Sequence, residues 1–311
     1  MKKEYLYALV SVLCWGTISS ISKGLLSGVD TMFTLFLSLG FATVFLLVFL
    51  WKKGKLKDMA ELWKDDGGKL MILAMTGIGS LGVLFYNLFL LSGTKRLPAQ
   101  QAFVINYLWP ALIIVLSSII LKERFTIPKF IAVLFSFGGV MVVTTNGSME
   151  AFRNTSVIGI IFCVLAAFSY AFYSTLGKFA EKQAKDKDKI YDSDIAVFIA
   201  HASGFVAAGV YVAVAAATGH METPLMTAPI LAGMAAYGIV CNAFPYLTWA
   251  MALSRGNTAV VANLAYLTPV ISLFLTHFFL GEEITIFSVL GLAMILLGIL
   301  IQSIAANKKA K

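Results

Sequence analysis

Charge is what this sequence has least of. Only 13% of its 311 residues are Asp, Glu, Lys or Arg, about half the share of an ordinary soluble domain. Histidines number three and cysteines three. Cys14, Cys163 and Cys241 stand singly, so the CxxC spacing of a zinc or redox motif is missing, and neither a disulfide framework nor a metal site is expected. A membrane-embedded enzyme would need a nucleophile beside a base, or metal ligands. Dispersed histidines without a central acid supply neither. No catalytic residue, cofactor or metal is therefore expected. The net charge of +8 has no soluble basic face to sit on, which removes nucleic acid as a partner.

What the chain has instead is long apolar runs. It is 59% hydrophobic, with its charges confined to short intervals between those runs. A run of about 18–25 apolar residues spans a hydrocarbon core. Such runs occur at 5–26, 30–51, 70–92, 98–121, 128–146, 157–178, 193–217, 228–252, 258–280 and 285–305. They predict an all-α integral membrane protein of ten transmembrane helices forming one transporter domain over residues 1–311. The first run follows Met-Lys-Lys but has no small-residue cleavage site, and is expected to be a retained helix. With the N-terminus inside, 20 Lys and Arg fall in inner segments and only four, Lys23, Lys95, Arg96 and Arg153, in outer ones. The positive-inside rule then puts both termini in the cytoplasm. The expected setting is a bacterial inner (plasma) membrane, crossed many times. The expected partners are the lipid bilayer and a small-molecule substrate, and the expected assembly is a monomer.

The chain is also written twice. Lys95-Arg96-Leu97-Pro98-Ala99, Asn106-Tyr107-Leu108-Trp109-Pro110, Lys122-Glu123-Arg124-Phe125-Thr126 and Gly139 recur at an offset of 159 residues. The second copy reads Ser254-Arg255-Gly256-Asn257-Thr258, Ala265-Tyr266-Leu267-Thr268-Pro269, Gly281-Glu282-Glu283-Ile284-Thr285 and Gly298. An offset of 155 places Trp15 on Tyr170, Ser19 on Ser174 and Lys23 on Lys178. The repeats cover 5–146 and 157–305. Each holds five spans, an odd number, so the second copy must enter from the opposite side and lie inverted. Inverted repeats are a mark of secondary transporters, whose substrate site lies near the midplane between the halves.

Ten spans in two five-helix repeats, Trp15-Gly16 in the first, and Glu-x-x-Thr before the last span of each repeat resemble the drug/metabolite transporter superfamily, in particular its EamA-type exporters. Asn106-Tyr107-Leu108-Trp109-Pro110 is similar to the matching segment of the bacterial aromatic amino-acid exporters of that superfamily. The resemblance covers essentially the whole chain. It implies export of amino acids or related metabolites through a central cavity lined by both repeats.

The residues themselves indicate what lines that cavity. Polar groups within a span face the protein interior or a water-filled space. Trp15, Ser19 and Ser22 lie along one face of the first span, and Tyr86 and Asn87 adjoin in the third. Asn106, Tyr107 and Trp109 lie in the fourth, Tyr170 and Tyr173 in the sixth, Asn242 and Tyr246 in the eighth, and Asn263 and Tyr266 in the ninth. The expected substrate-binding set is Trp15, Ser19, Tyr86, Asn106, Tyr107, Trp109, Tyr170, Tyr173, Asn242, Tyr246 and Tyr266. Pro110, Pro245 and Pro269 are expected helix breaks, each freeing the carbonyl four residues earlier, on Asn106, Cys241 and Ala265. Acidic residues are confined to loops and span ends. A proton-coupled exporter of organic cations would need a central carboxylate, and a carrier of phosphorylated sugars would need central cations. Lys23 and Lys178 sit near the surfaces, where snorkelling accounts for them. His201 and His277 fall within spans and are expected to be packing residues.

Aromatic faces, amides and carbonyls without fixed charge suit an amphipathic, net-neutral solute. A zwitterionic amino acid fits, its side chain against rings and its ammonium on a ring face. The alternatives within this architecture are broad drug or metabolite efflux, and carriage of sugar-phosphates or nucleotide-sugars.

Overall fold

The computed structural model describes residues 3–309 apart from 27, 65, 123, 147–154, 187–191, 222–225, 256–263 and 266. Among the described residues every regular element is helical. The chain opens with α1 (Lys3–Gly16) and α2 (Ile18–Leu26), which are nearly continuous. They part at Thr17, whose hydroxyl donates to the Cys14 carbonyl at 2.7 Å, a back-bond that bends a helix. Then come α3 (Thr31–Lys52), the short surface turn α4 (Leu56–Glu61), α5 (Asp66–Gly79) and α6 (Tyr86–Thr94). The fourth apolar stretch is split into α7 (Ala99–Asn106) and α8 (Trp109–Ile120), and α9 (Ile127–Thr145) follows. The second half contains α10 (Val157–Asp186), α11 (Ser193–Ala217), α12 (Ala228–Ala236), α13 (Phe244–Arg255), α14 (Leu267–Leu280) and α15 (Ile286–Lys309).

Seven of these helical stretches are long and apolar enough to cross a bilayer, and three shorter apolar helices, Ile127–Val143, Leu267–Leu280 and Ile286–Gly298, accompany them. α3 is 22 residues long, about 33 Å at the usual rise, which sets the height of the bundle. Its start is capped by Asp30, whose carboxylate accepts from the Phe33 N–H at 2.9 Å. The helices depart from the apolar runs at their polar ends. α5 begins at Asp66 rather than 70, and α10 continues to Asp186 rather than stopping at 178. A helix needs apolar residues only where it meets lipid, so hydropathy marks the membrane and not the helix.

The bundle is interleaved. α1 packs along α13, α6 along α10, α3 along α11 and α9 along α15. In terms of the ten stretches, first meets eighth, third meets sixth, second meets seventh and fifth meets tenth. Exchanging the two repeats maps this set of pairings onto itself. The last pair crosses where Gly139 faces Gly291, and a Cβ on either would strike the other's carbonyl oxygen. Glycine there permits backbone contact, the usual device for close helix packing in membranes. Large apolar side chains remain on the outside, Phe278 at 81% exposure and Ile127 at 76% among them. In water such a surface would aggregate, and in a bilayer it meets lipid tails.

Candidate functional site

At the centre of the bundle, two helices leave α-geometry. Ser80–Phe85 joins α5 to α6 as a π segment, and Tyr237–Ala243 joins α12 to α13 as another. A π segment adds a residue to the turn and rotates everything after it, and such bulges cluster at functional sites. The rotation brings Asn87 and Asn242, 155 residues apart, into contact: the Asn87 Nδ2 donates to the Asn242 Oδ1 at 2.9 Å and to the Val83 carbonyl at 2.7 Å. The Tyr237 hydroxyl donates to the Asn87 Oδ1 at 2.7 Å, and the Asn242 Nδ2 donates to the Tyr237 carbonyl at 2.9 Å. The offset is the one that superimposes the repeats, so repeat-equivalent amides tie the halves together. Gly82 gives the Tyr173 ring a flat seat, because a Cβ would enter the ring.

Beside this knot lies a narrow cleft of about 40 Å³, in this conformation room for no more than a few waters. Trp15, Ile18, Tyr86, Phe103, Asn106, Tyr107 and Trp109 line it from the first repeat. Tyr170, Cys241, Asn242, Tyr246, Ala265 and Thr268 line it from the second. The rings form a continuous chain. Tyr107 meets Trp109 at 5.7 Å between centroids, Trp109 meets Tyr170 at 5.1 Å, and Tyr170 meets Tyr86 at 5.3 Å. Tyr170 also meets Tyr173 at 5.8 Å, Tyr173 meets Tyr246 at 6.2 Å, and Tyr246 meets Trp15 at 6.2 Å. These separations are favourable aromatic contacts, so the rings hold one another in place as well as facing the cleft. Among the described lining residues none carries a charge.

The fourth stretch breaks at this cleft. α7 ends at Asn106, and α8 restarts at Trp109 with Pro110 in its first turn, where the missing N–H costs nothing. Asn106 and Trp109, on either side of the break, both face the cleft. Pro245 and Pro269 likewise fall in the first turns of α13 and α14. The carbonyl that Pro269 frees, on Ala265, is already taken by the Tyr107 hydroxyl, which donates to it at 2.5 Å, and by the Thr268 N–H. That oxygen is therefore a tie between repeats rather than an open acceptor. Two other polar atoms of the cleft have no partner. The Asn106 Nδ2 donates to the Tyr86 hydroxyl at 3.2 Å, but the Asn106 Oδ1 and the Thr268 hydroxyl are buried and unsatisfied.

Both ends of the bundle carry ionic clasps. At one end Glu282 accepts from the backbone N–H groups of Ala99 at 2.7 Å and Gln100 at 3.0 Å, capping α7. Lys23 stands 3.5 Å from the same carboxylate and donates to the Leu97 carbonyl at 2.6 Å. At the other end the Lys55 ammonium donates to Asp192 and Asp194, each at 2.7 Å. Burial alone would lower the Lys55 pKa, but the bonds and charges of the two aspartates hold it above the ordinary lysine value. Burial would raise Asp192, but Lys55 and the Ile195 and Asp194 N–H groups hold it below the ordinary aspartate value.

Of the expected site residues, Trp15, Tyr86, Asn106, Tyr107, Trp109, Tyr170, Asn242 and Tyr246 line the cleft. Ser19 is buried with an unpartnered hydroxyl but is not part of the lining. Tyr173 packs behind Tyr170 and Tyr246. Tyr266 lies outside the described residues, as does Asn263. Trp249 meets Trp15 at 5.2 Å between centroids with the rings tilted, outside the lining. His201 is buried, its Nδ1 2.7 Å from the Val197 carbonyl. His277 is exposed in the last turn of α14, its Nδ1 2.8 Å from the Glu282 carbonyl. Ile18, Phe103, Cys241 and Thr268 join the cleft unannounced. An apolar or hydroxyl residue in an apolar helix carries no mark of which way it faces.

Comparison with known proteins adds an independent line. The model of the EamA-like transporter family matches this chain twice, over residues 2–145 and 157–304. An uncharacterized transporter of Archaeoglobus fulgidus is 24% identical, with 93% of each chain covered. An uncharacterized transporter of Clostridium kluyveri is 25% identical, with 100% of this chain and 96% of the other covered. The uncharacterized transporter YyaM of Bacillus subtilis is 25% identical, over 84% of this chain and 80% of its own. A solved crystal structure shares the fold at a TM-score of 0.64 and 17% identity, over 99% of both chains.

Proposed function

The chain belongs to the EamA-like transporter family of multi-pass membrane proteins, and from that premise we propose that it exports large neutral amino acids, aromatic ones among them. The single observation that carries this reading is the lining of the cleft. Seven rings, two amides and a threonine hydroxyl face it, with no charged side chain among the described lining residues. A zwitterion is neutral overall, so its two charges can be met by amide, hydroxyl and ring-face contacts. A solute with net charge would enter uncompensated, at a cost of several kcal/mol or more.

Ten spans in two inverted repeats, with both termini in the cytoplasm, complete the proposal. The self-mapping helix pairings and the two family matches support it. Under that topology the Lys23–Glu282 end is the outer one, and its clasp closes the outside of the cleft. Alternating access would release this clasp when the opposite end closes. The substrate gradient alone would drive flux, because no carboxylate stands among the described lining residues.

Counterflow in proteoliposomes tests the substrate class. Saturable exchange of tryptophan, phenylalanine or leucine above empty vesicles is expected, with no pH gradient imposed. Exchange of none of them, or strict dependence on an imposed proton gradient, would sink the reading.

A further inference from the structure

Resting on that reading, we propose that the Asn106 Oδ1 and the Thr268 hydroxyl are the paired anchors for the polar head of the solute, one for an amine and one for a carboxylate. Both atoms are buried and lack a partner, and both residues line the same cleft. Asn106 is 2% exposed and Thr268 4%. Of the twelve buried side-chain atoms without a partner among the described residues, these are the two on residues that line the cleft, where a solute can reach what a neighbouring helix does not satisfy. Several other polar groups around the cleft are already engaged. Asn242 is bonded through both amide atoms, the Tyr246 hydroxyl donates to the Gly82 carbonyl, and the Tyr107 hydroxyl to that of Ala265. The site therefore keeps two polar atoms in reserve among many that are spent.

Their chemistry differs. The Asn106 amide spends an N–H on Tyr86, which leaves its Oδ1 as an acceptor. An acceptor in a cleft without fixed charge calls for a donor, and an ammonium or amine supplies it. Thr268 has a free O–H donor, and a carboxylate accepts it best, because bonds to charged groups are the stronger ones. The two residues occupy related places. Asn106 precedes Pro110 by four residues and Thr268 precedes Pro269 by one, and Thr268 is the repeat partner of Trp109. Asn106 closes α7 and Thr268 lies in the first turn of α14, so each repeat brings one anchor to the cleft at a helix end. The head would be held across the seam between the repeats, and the ring wall would take the side chain.

A head-group series on purified protein tests this, using L-tryptophan, tryptamine, which lacks the carboxylate, and 3-indolepropionate, which lacks the amine. Wild-type protein should bind tryptophan on the order of tenfold more tightly than either half-ligand. Thr268→Val removes the hydroxyl at constant shape. It should weaken tryptophan about tenfold and leave tryptamine unchanged. Its melting temperature should hold or rise, because an orphaned buried hydroxyl is lost. Asn106→Leu should weaken tryptophan and tryptamine together and leave 3-indolepropionate unchanged. If Asn106→Leu fails to fold, the Thr268→Val result stands by itself. Wild-type affinity for tryptophan in Thr268→Val overturns the inference, and so does equal loss of tryptamine. Wild-type protein that binds none of the three overturns the amino-acid reading as well.

Discussion

The two repeats agree where they build the frame and differ where they line the cleft. Each has a π segment near its centre and an asparagine at its edge, and these asparagines bond each other. Each has Tyr-Leu-x-Pro entering a helix, and each has a glycine where the final helices meet. At the cleft the pairs diverge. Trp15 answers to Tyr170, Tyr86 to Cys241, Asn106 to Ala265 and Trp109 to Thr268. Under the proposed inverted topology, a symmetric frame would let the two halves exchange roles between inward- and outward-open states. An asymmetric lining lets a solute without symmetry sit in one orientation.

The sharpest way to break that comparison is at the asparagine pair, where equivalence in place does not mean equal cost. Asn87 makes three side-chain bonds, to Val83, Asn242 and Tyr237, whereas Asn242 makes two. Asn87→Ala strands the buried Tyr237 hydroxyl and the Asn242 Oδ1. A loss of about 2–4 kcal/mol of stability is expected, from about 1–3 kcal/mol per stranded group with partial relief. Asn242→Ala leaves the Asn87 Nδ2 still bonded to Val83, so about 1–2 kcal/mol is expected. Thermal unfolding of the two purified variants in detergent checks the order, and a reversed order would contradict the network as drawn.

Next in size is the ring asymmetry. Trp109→Ala removes a ring that meets Tyr107 and Tyr170 and lines the cleft, while its repeat partner Thr268 contributes only a hydroxyl. A drop in amino-acid affinity of about 5–30-fold is expected, the equivalent of about 1–2 kcal/mol. Trp249→Ala, one ring outside the lining, should leave affinity within about twofold and act on stability instead. Equal affinity losses in the two variants, measured by equilibrium binding, would erase the distinction between lining and packing.

The proposed inverted topology has its own test. A cysteine placed at Asn146 should react with an impermeant thiol reagent in whole cells, and one at Lys64 should not. The opposite pattern would turn the protein over in the membrane.

The smallest effect concerns the ends. The folded pKa of Asp192 lies below the ordinary 3.8, so its contribution is present above that value and lost as pH falls through the folded one. The folded pKa of Lys55 lies above the ordinary 10.5, so its contribution is present below that value and lost as pH rises through the folded one. The stability difference between wild type and Lys55→Met should therefore be flat between the two values and shrink at both extremes. Its size should be on the order of 1 kcal/mol, because the pair is partly solvated. A difference that grows toward acid would contradict the assignment.

Much of this was legible in the order of residues, for definite reasons. Apolar length reads directly as helix, because lipid permits little else. Trp15, Asn106, Trp109 and Tyr170 stand out because polar and ring-bearing residues at mid-span need an interior to face. The π segments were not legible, since the fifth-residue bond depends on the neighbouring helix and leaves no periodic trace over six or seven residues. Nor was the Glu282 clasp, which joins positions 183 residues apart. Thr268 stayed hidden because a lone threonine in a helix normally bonds its own backbone, as Thr276 does to Ser272 and Leu273. Thr34, Thr43 and Thr175 also lack a partner, so only the missing partner together with its place in the cleft distinguishes Thr268.

The central claim is that neutral amino acids pass through the cleft between the repeats, and one measurement addresses it most directly. Tryptophan counterflow would be followed in proteoliposomes bearing wild type or Trp109→Ala, at equal reconstitution and with no pH gradient. The account predicts saturable flux for wild type, and for the variant a rise of about 5–30-fold in half-saturating concentration with a melting temperature lowered by only a few degrees, on the order of the two lost ring contacts. Flux no greater than in empty vesicles, or a variant with wild-type saturation and a lowered melting temperature, would contradict it.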